Sequence, residues 1–165
     1  MGISDAPVTI EAATSDDLVL CARLICSVAG GRVHDRARSL GSYLGESNRC
    51  LLVARRDGHV VGYAKAEPHD LPVGEPQMAP SGIYLGGIVV EPAARRCGIA
   101  TAMTVARMTW AAERASEVWY VTSSTNSASL DLHRQLGFVE VMRHVQFPGL
   151  AFTGGHGVLC RASLA

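Results

Sequence analysis

VEPAARRCGIAT, running from Val90 to Thr101, is the stretch whose reading decides the fold. A β-branched run over Ile83–Glu91 enters it and stops at Pro92, and a helical run over Gly98–Arg114 leaves it. The first turn of a helix carries N–H groups with no acceptor inside the helix, together with the positive end of its dipole. A helix that starts straight after a short turn is therefore an anion site. Gly98 lets backbone come close to a phosphate, Ala100 keeps the next approach small, and Arg95 and Arg96 bring donors suited to phosphate oxygens. An ordinary strand-to-helix turn with two solvated arginines fits the same letters, so the segment alone leaves both readings open. GxGxxG and GxxxxGK[ST] are absent, which withdraws support from dinucleotide and nucleoside-triphosphate sites.

Downstream of the turn, Ile99, Met103, Ala106 and Trp110 recur at helical spacing and predict a core-facing stripe. Glu117–Ser123 reads as a strand, Ser127–Leu136 as a helix ended by Gly137, and Phe138–Phe147 and Gly157–Arg161 as the last two strands. The strand 83–91, helix 98–114, strand 117–123 crossover is expected to be parallel and right-handed. Upstream, Val8–Ile10 opens as a strand. Thr14, Ser15 and Asp16 offer caps to a helix that Gly30-Gly31 ends, and a weaker helix covers Asp35–Leu44. Cys50–Ala54 and His59–Ala66 are strands joined by the Asp57-Gly58 hairpin signal. Four prolines and two glycines mark 68–82 as a long loop. The order β-α-α-β-β-β-α-β-α-β-β makes the chain α/β, an α+β arrangement with a central mixed sheet flanked by helices, in a single domain over residues 1–165.

Composition agrees with a globular chain. Of 165 residues, 48% are hydrophobic and 18% charged, and the formal net charge is zero, so no nucleic acid or anionic membrane is expected as a partner. Lys65 is the only lysine, which GC-rich coding explains as well as any preference for arginine at phosphate. The cysteines, Cys21, Cys26, Cys50, Cys97 and Cys160, are odd in number and form no CxxC pair; buried free thiols are expected, with no metal. MGISDAPVTI lacks the basic and apolar regions of a leader, and no apolar run approaches 18 residues. A soluble, cytoplasmic protein is the expectation.

Arg95-Arg-Cys-Gly98-Ile-Ala100 resembles the [RQ]-x-x-G-x-[GA] turn of the GCN5-related N-acetyltransferases, here preceded by their V-x-P strand ending at Val90-Glu-Pro92. Asn126 and His133-Arg-Gln-Leu-Gly137-Phe138 are similar to the family's second signature, an asparagine followed by YxxxGF, with histidine where tyrosine is usual. The resemblance implies acetyl-CoA as acyl donor. The backbone of Ile88, Val89 and Val90 would hold the pantetheine arm where the central strands splay. The amides of Arg95, Arg96, Cys97, Gly98, Ile99, Ala100 and Thr101 would hold the pyrophosphate, with Asn126 and Ser129 at the pantetheine or ordering the turn. His133 would protonate the departing thiolate. The family's base often stands near the start of strand 83–91, which is Tyr84 here. A phenol is a poor base, so Tyr84 would orient a water or the substrate, with Glu67, His69, Asp70 and Glu75 as alternatives.

Helical spacing places Asn126, Ser129 and His133 on one face without help from the family. That face either lines a cleft or meets water, and His133 is either the acid or a satisfied structural histidine. Phe147–Gly155 carries aromatics that either line an acceptor pocket or pack between subunits, so a homodimer is left open. The reading is direct acetyl transfer to a primary amine of a small molecule. A peptide or protein N-terminus as acceptor, and a non-catalytic acyl-CoA-binding module, are the rivals.

Overall fold

The computed structural model describes residues 6–152 and 154–165; the first five residues of the segment read for a leader, and Thr153 in the 147–155 loop, lie outside the described residues. The elements are β1 (Val8–Ala12), α1 (Leu18–Ala29), α2 (Val33–Gly41), β2 (Cys50–Arg56), β3 (His59–His69), β4 (Gly82–Val90), α3 (Ile99–Ala112), β5 (Glu117–Ser123), α4 (Ser127–Gln135), β6 (Val139–Arg143) and β7 (Gly157–Ser163). Short 3-10 turns at Ser15–Asp17 and Pro92–Ala94 aside, this is the order the sequence predicts. The strand order is β1-β2-β3-β4-β5-β7-β6. β4 and β5 run parallel, joined at Tyr84–Trp119, while β1–β2, β2–β3, β5–β7 and β6–β7 are antiparallel, so the sheet is mixed.

The chain forms two compact units. The first takes the residues up to Ala66 together with Gly86–Arg107. Asp57 and Gly58 both have positive φ, 51° and 77°, the mirror-image turn that matches strand twist and closes the β2–β3 hairpin. One cluster gathers Ala54, Val61, Ala64, Ile99 and Met103, with Ile88 and Val90 packed against it; another gathers Cys21, Ile25, Leu40, Leu51, Val53 and Tyr63, with Val89 against it.

The stripe predicted on α3 holds at Ile99 and Met103 but not beyond, because Ala106 and Trp110 are only half-buried. The buried row follows steps of four instead, to Arg107, 1% exposed, and Ala111. Arg107 donates from Nη1 to the carbonyls of Lys65 and Gly86, 3.1 Å each, and from Nη2 to Thr104 Oγ1 at 3.0 Å. A cation on a core stripe is tolerated here because carbonyl dipoles receive its donors.

The second unit takes Glu67–Leu85 and Met108–Ala165. Its core joins Leu71, Ala79, Tyr84, Val145 and Leu159, with Trp119 and Phe147 packed against them. Two strand predictions need correction. β3 continues three residues past Ala66, through Pro68: its register with β2 ends at Cys50–Ala66, so no β2 carbonyl waits there for the N–H that proline lacks. β6 ends at Arg143 rather than Phe147, because His144 adopts φ 54° and turns the chain out of the extended conformation. Of the five free cysteines, Cys21, Cys50 and Cys160 are buried, whereas Cys26 is half-buried and Cys97 exposed. Burial pushes the thiols of Cys21 and Cys160 up to about 12 and about 11, so both stay protonated at neutral pH.

Candidate active site

In the first unit the turn between β4 and α3 is built from backbone. Pro92–Ala94 forms a 3-10 turn, tied by Ala94 N–H to the Glu91 carbonyl at 2.9 Å. Arg96 and Gly98 both adopt left-handed backbone, at φ 64° and 74°. Handedness that changes between neighbouring residues gathers successive N–H groups, as in anion-binding nests. The first intrahelical bond of α3 runs from Ala102 N–H to the Gly98 carbonyl, 2.9 Å. Helix geometry thus leaves the amides of Ile99, Ala100 and Thr101 without an acceptor in the helix. A Cβ on Gly98 would meet nothing within 4 Å, so the space beside it is open to a ligand.

The two arginines divide their work. Arg95 Nε donates to the Val90 carbonyl at 3.0 Å and braces the turn, while Arg96 is exposed beside it. The Cys97 thiol is exposed and faces the Arg95 carbonyl at 3.5 Å. Upstream on β4, Gly86 and Gly87 lie under side chains of β3. A Cβ on Gly86 would press on the Lys65 stem at 3.1 Å, and one on Gly87 would collide with the Tyr63 hydroxyl. The buried Tyr63 hydroxyl leaves no room for a side chain at 87 and the Lys65 stem crowds position 86, so that stretch of β4 offers no side chain for acid–base work.

In the second unit α4 begins at Asn126, whose Oδ1 accepts from Ser129 N–H and whose Nδ2 donates to Thr122 Oγ1, both at 3.3 Å. Ser129 Oγ is hydrogen-bonded to the Tyr120 hydroxyl. His133 is 3% exposed. Its Nδ1 lies 2.8 Å from the Ser129 carbonyl, so this nitrogen carries the proton. The imidazole stacks flat on Tyr120, centroids 3.6 Å apart, and meets the edge of Phe138 at 5.1 Å. The predicted face exists, and Ser129 and His133 come together on it; Asn126 itself is exposed. Leu132 and Leu136, the leucines on either side of His133, are half-buried, and His133 is the deepest residue of the helix.

Tyr120 is the residue that sequence reasoning missed. Val118, Tyr120 and Thr122 alternate as the buried face of β5, and that period was visible in the sequence. Its partners on α4 were not, since they come from a different element.

Tyr84 is buried, and its hydroxyl donates to the Pro80 carbonyl at 2.6 Å. Burial pushes the phenol above its ordinary range. His69 meets the rings of Tyr84 and Phe147 edge-on, with centroids 5.6 and 5.0 Å away, and its Nε2 stands 3.6 Å from Glu67 Oε1. Phe147 also borders an open hollow of about 320 Å³, walled by Met78, Val145, Pro148, Leu150 and Phe152, with Gln146 as its polar side chain. Asp70 Oδ1 accepts from Ser81 Oγ at 3.4 Å, and Glu75 is exposed. Among the described residues no three His, Cys, Asp or Glu gather as a metal site, and no helix is long and apolar enough to cross a membrane.

The chain is similar to proteins of known kind. It is 35% identical over 92 residues to the aminoglycoside N(6')-acetyltransferase type 1 of Klebsiella aerogenes, and that match spans 55% of this chain and 59% of the relative's length. In fold it is similar to the ribosomal-protein-alanine N-acetyltransferase of Brucella melitensis (TM-score 0.74, 23% identity, 94% of this chain and 99% of that one). It is likewise similar to a phosphinothricin acetyltransferase of Sinorhizobium meliloti solved with acetyl-CoA (TM-score 0.73, 19% identity, 96% and 89%). The profile of the acetyltransferase (GNAT) family matches residues 23–138, a range that takes in both signature turns and His133. The chain belongs to the GNAT family of acetyltransferases.

Proposed function

We propose that the protein is an acetyl-CoA-dependent N-acetyltransferase, a single catalytic domain that passes the acetyl group directly to a primary amine of a small molecule. The observation that carries this reading is the open start of α3. Left-handed backbone at Arg96 and Gly98, acceptor-free amides over Ile99–Thr101 and clear space beside Gly98 suit a pyrophosphate. Membership of the GNAT family supports it.

In this reading the backbone of Ile88, Val89 and Val90 holds the pantetheine arm, and an amide there polarises the thioester carbonyl. The amides from Arg95 to Thr101 hold the pyrophosphate, and Arg96 adds its charge. Asn126 and Ser129 order the start of α4. With Nδ1–H committed to the Ser129 carbonyl, His133 acts as the doubly protonated imidazolium and passes its Nε2 proton to the departing thiolate. No metal enters the reaction. A hollow of about 320 Å³ falls at the small end of small-molecule pockets and favours a small acceptor over a protein N-terminus.

The test is a melting curve with and without acetyl-CoA. At one hundred times Kd the ligand should stabilise the fold by about 2.7 kcal/mol. No shift at millimolar acetyl-CoA would overturn the reading, and thiol release with an amine panel would separate a transferase from a module that only binds.

A further inference from the structure

We infer that the hollow bordered by Phe147, Leu150 and Phe152 receives the carbon body of the acceptor, that the acceptor is a primary amine on an apolar group, and that His69 takes the amine's proton. The inference rests on the transferase reading and names its second substrate.

The hollow is held open by backbone. Gln146 N–H donates to the Gln77 carbonyl at 2.7 Å, Ala79 N–H to the Gln146 carbonyl at 3.0 Å, and Val145 N–H to the Gly157 carbonyl at 3.2 Å. The 68–82 loop and the chain after β6 are thereby stitched together on either side of Gln146. Proline at 148 and glycine at 149, at φ 80°, fix the bend that brings Leu150 round.

The chemistry of the wall selects the ligand. Among the described residues no carboxylate lines the hollow, so a polycationic sugar placed there would find no ion-pair partner for its ammonium groups. An apolar body gains instead from burial, while a single amine can stay outside the wall. Charge for that amine stands beside Phe147. The His69 ring packs on Phe147 at 5.0 Å, and its Nε2 lies 3.6 Å from the Glu67 carboxylate. That separation is too long for a hydrogen bond but close enough for Glu67 to offset the positive charge His69 would acquire. The extension of β3 to His69 creates this pair, since residues two apart on a strand share a face.

The proton balance is complete. The acceptor arrives as an ammonium and gives one proton to the neutral imidazole of His69, leaving a free electron pair on nitrogen. That nitrogen attacks the thioester carbonyl, a C–N bond forms and the C–S bond breaks. The thiolate takes the Nε2 proton of a doubly protonated His133, the second amine proton restores that ring, and the proton on His69 passes to solvent as the one proton released overall.

The experiment follows thiol release from acetyl-CoA with phenethylamine and heptylamine against kanamycin and spermidine, beside a melting curve with acetyl-CoA. The expected result is kcat/KM at least tenfold higher for the apolar amines. Leu150→Asp, at a position 52% exposed where the fold tolerates charge, should raise KM for phenethylamine at least tenfold and leave KM for acetyl-CoA unchanged. His69→Gln should lower kcat about 10²-fold with a smaller change in KM. Preference for the polycations, no release with any amine while acetyl-CoA still stabilises the fold, or an unaffected Leu150→Asp variant would each overturn the inference and leave the acetyl-CoA site standing. Absence of acetyl-CoA binding would instead remove the transferase reading and this inference with it.

Discussion

Three helices of this protein start in three different ways. α1 follows Asp17, whose carboxylate is spent within the fold: it accepts from Thr14 N–H at 2.9 Å and takes both its oxygens to Arg55 Nη2 at 2.7 Å. α4 starts at Asn126, whose side chain accepts from its own first turn. α3 starts at Gly98, which has no side chain to offer, and no acid stands in its first turn. Nearly every helix end in a folded protein finds a partner. Of these three, the start whose residue has no side chain at all lies where the family signature falls. The difference teaches that the site is marked as much by what the chain withholds as by what it supplies.

The largest effect expected lies at α4. His133→Phe keeps a ring to stack on Tyr120 and against Phe138 but removes both nitrogens. If His133 passes the proton to the thiolate, kcat should fall about 10²–10⁴-fold with little change in acetyl-CoA affinity, read by steady-state kinetics at saturating acceptor. A change under threefold in a variant that melts normally would make His133 a packing residue and leave solvent as the acid.

Giving α3 the acid that α1 has comes next. In Gly98→Asp a carboxylate stands where a phosphate is proposed to bind, and aspartate accepts left-handed backbone better than most residues. Acetyl-CoA affinity by calorimetry should drop about 100-fold, equivalent to about 2.7 kcal/mol, while the unliganded fold persists. Unchanged affinity would place the phosphates elsewhere. Gly98→Val is the harsher change. Its sequence position at a helix start suggests tolerance, but φ 74° adds about 1–2 kcal/mol of strain for a side chain, so a loss of binding there would mix two causes.

How far the sequence could reveal this follows from the same residues. Gly98, Asn126 and the Asp57-Gly58 turn act through local backbone, and local backbone is written in neighbouring letters. Gly98 was legible as a site of close approach, although its need for positive φ was not. Arg107 and His133 act through burial, which depends on elements distant in the chain. An arginine four residues after Met103 gave the signal in outline, but only the carbonyls of Lys65 and Gly86 explain why it is kept there. Two glycines at 86 and 87 leave no side chain for a base in the letters alone; the structure shows that the space is taken by Lys65 and Tyr63. His69 stands in the letters only as one of four candidates, because nothing in them carries β3 past Pro68.

A third test uses Asp17, the residue before α1. Burial acts on Asp17 most strongly and upward, but the Thr14 N–H, the Arg55 guanidinium and the Thr14 hydroxyl outweigh it and hold the carboxyl below its usual range. A lowered carboxyl stabilises the fold above its unfolded-state value, and that contribution drains away as pH falls through the folded value. Asp17→Asn should therefore cost about 2 kcal/mol at pH 7 by urea unfolding. The gap to the unaltered protein should narrow below about pH 4, where the unfolded carboxyl is protonated. A gap that stayed constant down to pH 2 would show that charge is not what Asp17 contributes.

The smallest effect separates the two roles open to Asn126. The family resemblance allows it to touch pantetheine or to order the turn, and its bonds to Ser129 N–H and Thr122 Oγ1 are those of a residue that orders the turn. Asn126→Ala removes the cap of a nine-residue helix and should cost about 1 kcal/mol. Asn126→Asp keeps the accepting oxygen and loses only the donor to Thr122, so it should recover most of that stability. Acetyl-CoA affinity measured on both variants decides between the roles. An ordering residue predicts changes under threefold in each, because the cap acts on the free protein and the complex alike. A contact through the amide nitrogen predicts the opposite pattern: aspartate, which restores the helix, would bind acetyl-CoA as poorly as alanine, or worse, for lack of the donor and for the added charge.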